Sequence, residues 1–353
     1  MRGSSAALAA LAWVSCFATQ AAETTPPSSD LRAFIPQSVS PEARSIYQKL
    51  LPVVEPRWDQ HHNPVTAADF QKLHDDAIAR TMATQPAMLA ALKVTVNEMQ
   101  LDGVGVVETT PPDYRDDGTV IVHLHGGGFY LDSARSSVGM DARLALVTGR
   151  RFISVDYTVA PKGNWRIVTD QVVAVYKALL EQGYKPKSIG MLGDSAGGNI
   201  VSASVLKLRD EGLPIPGALV LFSPCVDFNQ AGDTNRTLRA ADPAIDEIDI
   251  VPGLEAYAPR TDWNNPYVSP IFGDFKKGFP PTLIQAGTKE VLLSDSVRLY
   301  QAIKTSGGAA ELDLYEGMAH VFQAYMTGTP EQKAAFAEVK RFWSKHLVPA
   351  KHK

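Results

Sequence analysis

In the stretch SIGMLGDSAGGNIVSASVLKL, residues 188–208, a single serine, Ser195, stands between an apolar run and a segment of helical period, with glycines on both sides. A hydroxyl at a strand-to-helix turn is the arrangement that exposes a nucleophile. Gly193 and Gly197 let the backbone turn sharply and pass close to its neighbours, where a Cβ would obstruct it. The helix that follows places the positive end of its dipole beneath Ser195, useful when an oxyanion forms.

A nucleophilic serine needs a base and an acid, and in a strand–turn–helix context they follow it in the order acid, then histidine. YEGMAHVFQAY places His320 in a loop just after the last strand, and the C-terminal tail beyond it carries only His346 and His352, so His320 is the base. For the acid, LIQAGTKEVLLSDSVRLY offers two residues. Glu290 stands three residues past Gly287 on the loop before a helix, whereas Asp295 falls inside that helix. Upstream, VIVHLHGGGFYLDSA runs three glycines, Gly126, Gly127 and Gly128, directly after a strand. Consecutive glycines lose conformational entropy on folding and need a reason, and close backbone approach to a reacting carbonyl supplies one. His125 is expected to orient this loop and His123 to be a strand residue. GDSAGG is also one residue away from the GDSGG of chymotrypsin-like proteases. Those chains are all-β and place their histidine and aspartate before the serine, which the pattern here contradicts.

The elements that must position these residues alternate. VTVNEMQL and VGVVETT read as a hairpin about LDG. TVIVHLH, a helix over 137–148, RFISVDY, a helix over 167–182 and SIGMLGD follow, then a long helix ending at Gly212 and the strands GALVLFSP, PTLIQAG and AELDLYE. That alternation predicts an α/β fold with a mostly parallel sheet flanked by helices. Residues 30–92 read as a helical segment, with Ser40 and Pro41 opening one helix and Thr66 and Asp69 another. Residues 229–266 form a Pro- and Asp-rich insertion too long for a plain loop. The expected organisation is a leader over 1–22, a linker over 23–29, a helical cap over 30–92, core over 93–228, a cap insertion over 229–266 and core again over 267–353.

The chain has 353 residues, 45% hydrophobic and 20% charged, with a formal net charge of -4. That balance points away from nucleic acid and polybasic membrane contacts, and toward a small, weakly charged partner. Arg2, an apolar run over 6–18 and small residues ending in Ala21 and Ala22 read as a signal peptide, so the mature protein is expected to be periplasmic or secreted, with no stable membrane insertion. Removing the leader takes Cys16 with it and leaves Cys225 alone, a small buried apolar residue with no disulfide partner. His61 and His62 read as a solvated linker, and Asp75 and Asp76 as a polar helix face; no cofactor or metal is called for.

Four motifs, HGGGFY, VDYTVAP, GDSAGGN and GMAHVFQ, together make the chain resemble the bacterial hormone-sensitive lipase family of α/β-hydrolases, the family IV esterases, over about residues 95–345. The resemblance implies a triad of Ser195, Glu290 and His320, and an oxyanion hole from the N–H groups of Gly126, Gly127 and Ala196. It also implies cleavage of carboxylic esters through an acyl-serine. The same triad serves lactonases and amidases, and a ligand receptor on this fold is the alternative from another class. A homodimer is left open. One departure from the family is APKGNWRIV, in which Trp165 and Arg166 replace a Phe-Pro pair near the edge of the site.

Overall fold

Strands covered on both faces run unbroken in apolar residues, while strands with a wet face alternate, and the sheet of this protein sorts its members accordingly. The computed structural model describes residues 30–58, 64–245 and 250–350. The leader, the linker, His61 and His62 lie outside the described residues. A short helix, α1 (Asp30–Ala33), precedes α2 (Pro41–Trp58), α3 (Ala67–Met82) and α4 (Gln85–Leu92). The hairpin strands β1 (Thr95–Leu101) and β2 (Val104–Thr110) lead into β3 (Val120–Leu124), α5 (Ala134–Thr148), β4 (Arg151–Val155), α6 (Trp165–Glu181), β5 (Ile189–Asp194), α7 (Ala196–Asp210) and β6 (Ala218–Phe222). The insertion carries α8 (Thr234–Thr237) and α9 (Val251–Tyr257). The chain then returns through β7 (Thr282–Gly287), α10 (Leu293–Thr305), β8 (Ala310–Tyr315), α11 (Phe322–Tyr325) and α12 (Pro330–His346).

The sheet order is β1-β2-β4-β3-β5-β6-β7-β8. β2 pairs antiparallel with β1 and β4, and every pair from β4 to β8 is parallel. β3 and β6 are buried throughout, whereas the edge strand β1 is largely exposed. Alternate residues of β3 serve the two faces. Val120, Val122 and Leu124 pack with Val168 and Val172 of α6 and Ile200 of α7, while Ile121 packs with Leu144 of α5 and Phe342 and Trp343 of α12. From β3 the chain moves outward to β4 and then crosses back to β5. That reversal sets the loops after β3 and β5 side by side at the carboxyl ends of the strands, where such sheets bind ligands. They are the glycine loop and the serine turn.

The N-terminal helices pack onto loops at the same end of the sheet. Val39, Ala43 and Tyr47 lie against Met318, Ala319 and Phe322 after β8, and Phe70 of α3 meets Tyr130 edge-on at 5.1 Å. Helix starts differ from the sequence reading where a polar residue caps earlier. Ser133 and Ser136 form a capping box that starts α5 at Ala134, and Asn164 caps α6 so that Trp165 and Arg166 are its first residues. What the sequence leaves as a C-terminal tail is α12, capped by Thr329 and buried along Ala335, Phe336, Val339, Phe342 and Trp343.

Candidate active site

Ser195 sits between β5 and α7 at φ 53 and ψ −118, a region that L-residues with side chains rarely occupy. The turn is held from β6: Ser195 N–H donates to the Phe222 carbonyl at 2.9 Å, and Cys225 N–H donates to the Ser195 carbonyl at 3.1 Å. A Cβ on Gly197 would stand 1.9 Å from the Leu124 carbonyl oxygen, and one on Gly193 would stand 2.4 Å from that of Gly197. The turn and the end of β3 therefore touch backbone to backbone. Ser195 remains half-buried rather than sealed in the core. Cys225 is free and buried, and burial pushes its thiol up and keeps it inert.

His320 Nδ1 lies 3.0 Å from Oε2 of Glu290, a carboxylate with no exposed surface. Its other oxygen accepts the Gly287 N–H at 3.1 Å, so backbone fixes the acid as the acid fixes the imidazole. A proton on Nδ1, donated to Glu290, leaves Nε2 as the free acceptor. The loop bearing His320 is tied on both sides. Tyr47 of α2 donates to the Gly317 carbonyl and accepts the Ala319 N–H, each at 2.8 Å, and Val321 N–H donates to Ser223 Oγ at 3.1 Å.

Asp295 is equally buried, but it faces elsewhere. Its Oδ2 accepts the N–H groups of Val226 at 2.7 Å and Asp227 at 3.1 Å, holding the loop after β6. Burial raises its pKa to about 7 against those two hydrogen bonds. Of the two carboxylates that the sequence offers, Glu290 alone meets His320.

The glycine loop requires a correction. The Gly126 N–H donates to Asp194 Oδ2 at 3.0 Å, so it is committed and does not serve as an oxyanion donor. Gly127 and Gly128, both at positive φ, line the same cavity as Ser195. His125 is stacked on Tyr157 at 4.2 Å; its Nδ1 donates to the Gly126 carbonyl at 2.9 Å while Tyr157 donates to the His125 carbonyl at 2.9 Å. His125 thus orients the loop and is buried away from the chemistry.

Ser195, His320, Gly127 and Gly128 open onto a cavity of about 320 Å³ whose remaining walls include Leu131, Ile245, Ile250 and Tyr325. Trp165 and Arg166 are not part of this lining. Trp165 Nε1 donates to Asp262 Oδ2 at 2.9 Å, and the Arg166 guanidinium lies 3.9 Å over the Trp165 ring, so the departure from the family buttresses the insertion instead of shaping the pocket. Sequence reasoning missed Asp242. This buried residue of the insertion accepts the Val291 N–H at 2.9 Å and the Ala244 N–H at 2.8 Å, pinning the insertion beside Glu290. Burial raises its pKa, and His320 opposes the rise.

A family model for the alpha/beta hydrolase fold matches residues 121–324, and the chain belongs to that family. Among its relatives, an esterase of Acinetobacter venetianus is 36% identical over 63% of this chain and 74% of that protein. An acetyl-hydrolase of Streptomyces hygroscopicus is 34% identical over the same shares, 63% and 74%. Among solved structures, an esterase from the bacterial hormone-sensitive lipase family matches with a TM-score of 0.76 at 29% identity, over 88% of this chain and 100% of that one. The esterase E25 matches with a TM-score of 0.83 at 30% identity, over 94% and 99%. The resemblance carried by the four motifs is thus met in both sequence and structure.

Proposed function

We propose that the protein is a serine carboxylesterase working through an acyl-Ser195 intermediate. Relatives named esterase and acetyl-hydrolase support the class. The observation that carries the mechanism is that His320, its Nδ1 held by the buried Glu290, lines the same cavity as Ser195. His320 Nε2 takes the Ser195 proton as Oγ attacks the acyl carbon, and Glu290 holds the tautomer and stabilises the imidazolium. The oxyanion is received by the N–H groups of Gly127, Gly128 and Ala196, the last at the N-terminus of α7. Each such donor contributes on the order of 3 kcal/mol to the transition state. The protonated His320 gives its proton to the leaving alkoxide, and water activated by the same imidazole then hydrolyses the acyl-enzyme. A panel of p-nitrophenyl, alkyl, lactone and amide substrates tests the reading: Ser195-dependent turnover confined to amides or lactones would replace it.

Two finer readings belong with this one. Residues 30–92 and 229–266 act as a cap over a bounded apolar cavity, which favours short to medium acyl chains over emulsified long-chain triglycerides. Activity rising steadily through long chains at an oil interface would contradict that. The leader over 1–22 directs export, and the N-terminus of protein recovered from outside the cytoplasm should lie near Ala22; an intact Met1 there would refute it.

A further inference from the structure

Beneath the serine turn lies a cluster that the reaction above does not use. His123 of β3 and Asp141 of α5 have no exposed surface. His123 Nδ1 stands 2.7 Å from Asp141 Oδ1, and Nε2 stands 3.1 Å from Asp194 Oδ1. Ser154, the register partner of His123 on β4, donates to the other oxygen of Asp141. A neutral imidazole has one N–H, so one of these close carboxylates would face a ring lone pair; the imidazolium, with an N–H on each nitrogen and a positive charge, removes that conflict. Burial pulls the ring toward its neutral form, but the charges and hydrogen bonds of Asp141 and Asp194 outweigh it and push the pKa up to about 10. In the loop after β3, burial holds the His125 imidazole low and the Asp132 carboxyl high.

Asp194 immediately precedes Ser195 and lines the cavity beside it. Its second oxygen accepts the Gly126 N–H, so one carboxylate joins the serine turn to the glycine loop. A bare carboxylate at that place would also repel the oxyanion. We propose that His123 is a positioning residue for ester hydrolysis: as an imidazolium it fixes Asp194, which clamps the glycine loop against the serine turn, and it offsets the Asp194 charge beside the developing oxyanion. The proposal rests on the acyl-serine reading.

The test uses the full chain and p-nitrophenyl acetate. His123→Gln keeps a donor but loses the charge, and kcat should fall by up to about 100-fold with KM within about twofold. Asp141→Asn keeps the imidazole and removes a charge that raises its pKa. Activity needs the protonated ring and is lost as pH rises through that pKa, so the alkaline limb of kcat should move down by about 1–3 pH units. A merely structural His123 would change melting temperature without moving that limb. Nitrogen-15 NMR of the wild type gives a readout free of either variant's folding, with both ring nitrogens of His123 protonated at about pH 8. A neutral ring there, unchanged kcat in folded His123→Gln, or an Asp141→Asn profile superimposed on the wild type would each overturn the proposal. Failure of the esterase reading shows differently: the wild type would then have no Ser195-dependent hydrolysis at any pH.

Discussion

His320 and His123 both turn Nδ1 toward a buried carboxylate, Glu290 at 3.0 Å and Asp141 at 2.7 Å, yet the two imidazoles are built for opposite tasks. The other nitrogen separates them. His320 borders the cavity that holds Ser195, with Nε2 left to accept a proton. His123 is sealed in the core, and its Nε2 meets a second carboxylate, Asp194. A carboxylate partner does not by itself suit a histidine to act as a base; a second nitrogen left free to accept a proton, on a residue that shares the nucleophile's cavity, does.

The comparison is broken most severely by removing the groups that face the cavity. Ser195→Ala and His320→Ala should each lower kcat on the order of 10⁴- to 10⁶-fold, with the double variant no worse, because the residues act as one unit. Circular dichroism should show both folded. Glu290→Gln keeps the shape but loses the charge that favours imidazolium and the partner that fixes the tautomer. Steady-state kinetics should show a loss of about 10⁴-fold.

Asp295→Asn sharpens the contrast between the two carboxylates after β7. Activity at matched folded fraction should stay near wild type, and a large catalytic loss with a near-normal Glu290→Gln would reverse the assignment. Its effect falls on stability, and the sign follows from the raised pKa. Asp295 contributes most below its unfolded value of about 4, and its contribution fades as pH rises toward about 7. The advantage of wild type over Asp295→Asn in urea unfolding should therefore shrink between those limits. Smallest is Tyr47→Phe, which leaves the Ala319 N–H without its acceptor. Roughly 1–3 kcal/mol of stability should go, with less than a tenfold change in kcat.

Much of this site was legible because its parts are carried by residue type, spacing and order. Ser195 announces itself by glycines between a strand and a helix, and His320 by its place after the last strand. Glu290 and Asp295 differ in position, one preceding the helix and the other lying within it, but the choice between them rests on the family resemblance as well as on that position. What the sequence does not carry is which backbone group is already spent. Three glycines in a row predict close approach, but that the Gly126 N–H is bonded to Asp194 depends on a carboxylate 68 residues away. Asp242 is hidden for the same reason, acting on Val291 across 49 residues from within an insertion. Helix α4, QPAMLAAL, has no polar face and hence no period to read, though packing against α5 makes it a helix.

The central claim is that Ser195 is the nucleophile, and covalent labelling tests it most directly. Protein treated with a fluorophosphonate, digested and examined by mass spectrometry should carry a single adduct on the peptide containing Ser195, formed in step with loss of esterase activity and absent from Ser195→Ala. An adduct on another residue that tracks the loss of activity, or full inactivation with Ser195 unmodified, would contradict the account.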